Sequence, residues 1–126
     1  MVVGLGAVSS TFMTGVLMTR KGLAKPIGSM TQYDKIRVGR GEDKKYLHYK
    51  DIVPLADLHD IVFGAWDVYP ANAYESAINA EVLKEKDINP VKEELEAIKP
   101  LKAAFDHNYA KRLNGDNVKQ VKDNLF

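Results

Sequence analysis

The residues with the most chemical promise stand at the start of the chain, where Val2 and Val3 lead directly into Gly4-Leu5-Gly6-Ala7-Val8-Ser9. Glycine at position 4 permits a tight turn, and glycine at position 6 lets main chain approach an anion with no Cβ between them. If a helix follows at once, its unpaired N–H groups point at the same spot, which is the shape that holds a dinucleotide diphosphate. The third glycine of the usual G-x-G-x-x-G is replaced by Ser9, so the hydroxyls of Ser9, Ser10 and Thr11 become donors in reach of phosphate. An ordinary strand-to-helix turn capped by serine uses the same residues, and the motif by itself leaves both readings open.

Asp67 is the second chemical candidate, because it closes the apolar run Ile61-Val62-Phe63-Gly64-Ala65-Trp66. A carboxylate at the C-terminal end of a parallel strand can accept a hydrogen bond from a ribose or from the nicotinamide side of a cofactor. It follows the glycines by about sixty residues instead of the usual twenty or so, and a turn or helix-cap role fits it equally. His48, His59 and His107 lack metal-ligand spacing and read as structural or surface histidines. Asp57 and Asp60 flank Leu58-His59 as an acidic turn. Arg37, Arg40, Lys44 and Lys45 are offset by Asp34, Glu42 and Asp43, which gives a solvated loop, while Lys84, Lys86, Lys92, Lys99 and Lys102 read as outer faces of surface helices.

Several elements must position these residues. Val2 and Val3 predict a short strand, abrupt enough to suggest one that has been trimmed. Phe12, Met13, Val16 and Leu17, with Met18 beside them, predict a helix over residues 9–21 with one buried stripe and a stop at Gly22. Gly15 inside it calls for a close helix–strand contact or a kink. Residues 28–51 read as a long excursion loop, with an extended piece at residues 35–38. Residues 61–66 predict a strand covered on both faces. Asn72 and Glu75 have capping-box spacing ahead of a helix whose inner face carries Tyr74, Ala77, Ile78 and Val82. Asn89-Pro90 opens another helix, striped by Val91, Leu95 and Ile98 and ended by Pro100. Phe105, Tyr109 and Leu113 then share a helical face, and Val118, Val121, Leu125 and Phe126 suggest one more helix beginning.

Composition narrows the class. With 126 residues the chain amounts to one domain, 45% of it hydrophobic, and 18 basic against 17 acidic residues leave a formal charge of +1. That balance gives no broad field for nucleic acid or acidic lipid. The absence of cysteine excludes disulfides and cysteine-held zinc or iron–sulfur centres. The longest nearly apolar stretch, residues 1–8, is far below the roughly 20 residues that span a bilayer, and no basic n-region precedes it. Neither a membrane nor a secretory route is indicated, so a cytoplasmic location is the default.

Three separated stretches carry a family likeness. They are Val3-Gly4-Leu5-Gly6-Ala7-Val8-Ser9-Ser10-Thr11, then Arg20-Lys21-Gly22-Leu23-Ala24-Lys25-Pro26-Ile27-Gly28-Ser29, then Asp60-Ile61-Val62-Phe63-Gly64-Ala65-Trp66-Asp67. Together with Ala103-Ala104-Phe105-Asp106-His107-Asn108-Tyr109, they resemble the N-terminal part of the bacterial myo-inositol-1-phosphate synthases over nearly the whole chain.

The resemblance implies an α/β fold, a partial Rossmann-like three-layer domain with a parallel sheet flanked by helices, of which residues 1–126 are the N-terminal part. It implies NAD as cofactor, with Gly4, Gly6, Ala7, Val8 and Ser9 matching the family's diphosphate loop and Asp67 its cofactor-side acidic position. In that family glucose 6-phosphate is oxidised, closed by an aldol step and reduced again by the same cofactor, and a second domain forms a tetramer core. The family's catalytic lysines and substrate phosphate pocket fall beyond residue 126, so no catalytic residue is assigned here. The competing reading is a non-catalytic structural or interaction module that retains the glycine turn.

Overall fold

The computed structural model describes residues 1–106 and 108–119. Strand β1 (Val2–Val3) passes through the glycine turn into α1 (Ala7–Arg20), and β4 (Ala65–Asp67) then lies parallel to β1. Helices α4 (Ala73–Ala80), α5 (Glu85–Ile88) and α6 (Lys92–Ala97) lead to β5 (Leu101–Ala104), and β6 (Val118–Lys119) completes a sheet of order β1-β4-β5-β6. Every pairing in it is parallel, which requires crossover connections and accounts for the helices between β1, β4 and β5. Leu5, Met13, Leu17, Ala65, Ala77, Ile88, Val91 and Leu95 form the core between the sheet and helices α1, α4 and α6. On the opposite face the register places Val3, Trp66 and Leu101 in one exposed apolar row. This is a parallel sheet flanked by helices, a partial Rossmann-like arrangement.

Local interactions fix the helices. Gly22, at φ +69°, follows the end of α1, as the sequence predicts. The capping box of α4 is complete, with Asn72 Oδ1 accepting from the Glu75 N–H at 2.9 Å and Glu75 Oε2 accepting from the Asn72 N–H at 3.0 Å. Pro90 lies in the 3-10 turn that opens α6, and Val91 and Leu95 are buried. The helix at residues 9–21 begins two residues earlier than predicted, at Ala7. Phe12 is 50% exposed, and the inner stripe uses Ser10 and Thr14 instead. Both hydroxyls donate back to helix carbonyls, which satisfies them in the interior. Gly15 is exposed, with open space where a Cβ would stand, so no close contact explains it.

The strands depart further from expectation. Within the excursion at residues 28–51 lie α2 (Met30–Tyr33), an antiparallel hairpin of β2 (Lys35–Val38) and β3 (Lys45–His48), and α3 (Tyr49–Ile52). The run at residues 61–66 is strand only from Ala65, and Val62 is 88% exposed, so it is not covered on both faces. Helix α4 stops at Ala80, which leaves Val82 exposed. Among the described residues no helix carries Phe105, Tyr109 and Leu113 as expected: they follow β5 in turns and loop, and Tyr109 is 93% exposed. Val118 starts a strand where a helix was expected, and Val121, Leu125 and Phe126 lie outside the described residues.

Candidate functional site

A cleft of about 1360 Å³ opens at the C-terminal ends of β1, β4 and β5. Open parallel sheets bind their ligands at this end. Its floor is the glycine turn. Gly4 adopts φ +89°, a conformation in which an L side chain is strained, and its N–H closes the ladder on the Trp66 carbonyl at 2.7 Å. Gly6 is the N-cap of α1, without a capping side chain and with no acidic residue in the first turn. The first helical bond runs from the Ser10 N–H to the Gly6 carbonyl at 3.0 Å. The N–H groups of Gly6, Ala7, Val8 and Ser9 precede that bond and have no partner within the helix. Gly6 and Ala7 line the cleft, and a Cβ on Gly6 would meet open space.

Helix polarity adds roughly half a positive charge at this end, so the turn can take an anion on main chain alone. The serine hydroxyls are used differently from the expectation that they donate to phosphate. Ser9 Oγ donates to the Gly4 carbonyl at 2.7 Å, and Ser10 Oγ to the Gly6 carbonyl at 2.9 Å. Each hydroxyl has one proton, and in both residues it stiffens the turn.

Asp67 comes to the same place. Its Oδ2 accepts from the Leu5 N–H at 2.5 Å and its Oδ1 from the Tyr69 N–H at 2.9 Å, so the carboxylate ties the glycine turn to the exit of β4. Among the described residues these bonds use two of the carboxylate's about four acceptor positions, and Asp67 is part of the cleft lining. The spacing in sequence now has a structural cause. Residues 21–64 contain the hairpin excursion, and β4 nevertheless lies beside β1 as the next strand of the sheet. Asp67 therefore ends the strand next to β1.

Arg20 closes the excursion at its base. Its Nε donates to the Leu58 carbonyl at 2.6 Å and its Nη2 to the Ile61 carbonyl, with the guanidinium 5.3 Å from the Phe63 ring centroid.

Some cleft residues escaped the sequence reading. Lys102, expected on the outer face of a helix, belongs to β5 and lines the cleft, as does Lys119 of β6. The pairing of β4 with β5, which sets Lys102 opposite Asp67, is the missing signal. Asp57 forms a turn as expected: its Oδ1 accepts from the His59 N–H, and that bond is the main reason its pKa is lowered. Among the described residues no group of His, Asp and Glu could hold a metal ion, and no helix is long and apolar enough to cross a membrane.

The family model for myo-inositol-1-phosphate synthase, an NAD-binding family, matches residues 1–125. The chain belongs to the myo-inositol-1-phosphate synthase family. Inositol-3-phosphate synthase 1 of Bacteroides thetaiotaomicron is 62% identical over 122 residues, covering 96% of this chain and 28% of that protein. Inositol-3-phosphate synthase isozyme 1 of Arabidopsis thaliana is 32% identical over 137 residues, covering 96% of this chain and 26% of its own length. The fold is that of the crystal structure of inositol-3-phosphate synthase from Caenorhabditis elegans, with a TM-score of 0.80 at 23% identity, over 94% of this chain and 27% of that one. The chain thus spans about a quarter of the length of these synthases.

Proposed function

We propose that the chain is the NAD-binding portion of an inositol-3-phosphate synthase, an isomerase of inositol and phospholipid biosynthesis that converts glucose 6-phosphate to myo-inositol 1(3)-phosphate and assembles as a homo-oligomer, a tetramer when full length. The observation that carries the reading is the uncapped start of α1, set behind Gly4 and Gly6 and facing the cleft. Main-chain N–H groups of Gly6, Ala7, Val8 and Ser9 hold the diphosphate, and Gly4 gives the turn its sharpness. The free acceptor positions of Asp67 take the ribose hydroxyls. NAD supplies hydride acceptance and return, so that one cofactor serves an oxidation and a later reduction with no net redox change.

This chain's contribution is to bind and orient, which keeps the cofactor placed through both transfers. The donor set fits: uncharged amides and a helix start, no acidic residue in the first helical turn, and room at Gly6 where a side chain would intrude. Titrating NAD into the chain while following amide resonances tests the reading. Residues 4–11 and Asp67 are expected to shift together on one saturation curve. A titration to millimolar NAD that leaves them in place overturns it, and favours the structural-module alternative.

A further inference from the structure

We propose that Asn117 is a positioning residue for the cleft, holding the exit of β4 so that the Asp67 carboxylate stays on the glycine turn. The inference rests on the NAD-binding reading for its consequence, and on geometry for its cause. The Nδ2 of Asn117 donates to the Asp67 carbonyl at 2.9 Å and to the Leu101 carbonyl at 3.2 Å. Its main-chain N–H donates to the Val68 carbonyl at 2.8 Å, and its own carbonyl accepts from the Ala103 N–H at 3.0 Å. One half-buried residue just before β6 therefore joins the end of β4 to Leu101 and Ala103 of β5.

Two residues earlier, the chain lies directly on β4's exit. A Cβ at Gly115 would stand 2.3 Å from the Val68 carbonyl oxygen and 2.8 Å from its Cβ, so only glycine permits this approach. The peptide between Asp67 and Val68 is thus held from behind by Asn117, while the Asp67 side chain reaches forward to the N–H groups of Leu5 and Tyr69. Position 117 needs an amide. Its two protons serve two carbonyls at once, whereas a carboxylate of the same shape would turn oxygen toward both. Loss of that hold lets the β4 exit rotate, and the diphosphate turn loses its brace without losing any of its own residues.

The test compares the full chain with N117D and with the milder N117S, which keeps one donor. In N117D the Leu5 and Tyr69 amides should exchange with solvent about tenfold faster, while Ala77 and Leu95 in the helical core keep their protection. The dissociation constant for NAD, measured by calorimetry well below the unfolding transition, should rise by about the same factor. N117S should fall between, and if N117D does not fold, it becomes the deciding variant. Unchanged exchange at Leu5 and Tyr69 overturns the proposal whatever happens to NAD. Faster exchange with an unchanged NAD constant overturns its functional half. If the unsubstituted chain binds no NAD while N117D still frees those two amides, the positioning role stands and the NAD-binding reading falls.

Discussion

Gly4 and Gly6 stand two residues apart and have different reasons to lack a side chain. The first is held at φ +89°, where an alanine is strained by about 1–2 kcal/mol. The second has an ordinary backbone and empty space around its missing Cβ, so alanine costs it at most about 1 kcal/mol of capping preference. Gly4→Ala is therefore expected to lower the unfolding midpoint, and Gly6→Ala to lower it less while weakening NAD at least about tenfold, by setting a methyl group between amides and diphosphate. Denaturant unfolding and calorimetry on both variants separate the two effects. A Gly6→Ala chain that binds NAD normally would contradict the role given to that position. At this scale the turn at Gly4 and the helix start at Gly6 were readable in the sequence, because both are local backbone features. Asp67 was ambiguous because its meaning depends on which strand lies beside β1, and no spacing rule survives an insertion of that size.

Among the elements, those stabilised by their own residues were the legible ones. Helix α1 and the Asn72 capping box follow from interactions within a turn or two. Strands β5 and β6 follow from partners outside their own segments, and a tetrapeptide such as Leu101-Lys102-Ala103-Ala104 has no period to announce it. Beyond Pro100 the spacing of Phe105, Tyr109 and Leu113 suggested a helical face, yet residues 101–104 just before it pair with β4 as a strand, and Tyr109 and Leu113 are exposed. Elements α1 and α6 are joined by Lys21, whose Nζ lies 2.6 Å from Glu94 Oε1 and 2.8 Å from the Pro90 carbonyl. The Lys21 hydrogen bond holds the Glu94 carboxyl below the usual glutamate range. A lowered carboxylate pKa stabilises the fold above its unfolded value, and the gain disappears as pH falls through the folded value. Both side chains are more than a third exposed, so solvent screening limits the effect to under about 1 kcal/mol. Stability measured from neutral pH downward should lose this increment in acid, and Glu94→Gln should remove that part of the slope. Parallel curves for the two proteins would show the pair to be inert.

At the scale of the whole molecule, the cleft brings together main-chain amides, the Asp67 carboxylate and two lysines, Lys102 and Lys119. The binding and orienting role proposed for this chain predicts that by itself it forms no inositol phosphate from glucose 6-phosphate and NAD, and product detected with the purified chain would refute this. Its single tryptophan gives this architecture a practical side. Trp66 stands on the cleft wall and shares the bare sheet face with Val3 and Leu101. An indole in that position reports on its surroundings through the colour and intensity of its emission, so the protein carries an intrinsic optical gauge beside its glycine turn. Filling of the cleft and covering of the bare face both alter that light, and they do so without any label being attached.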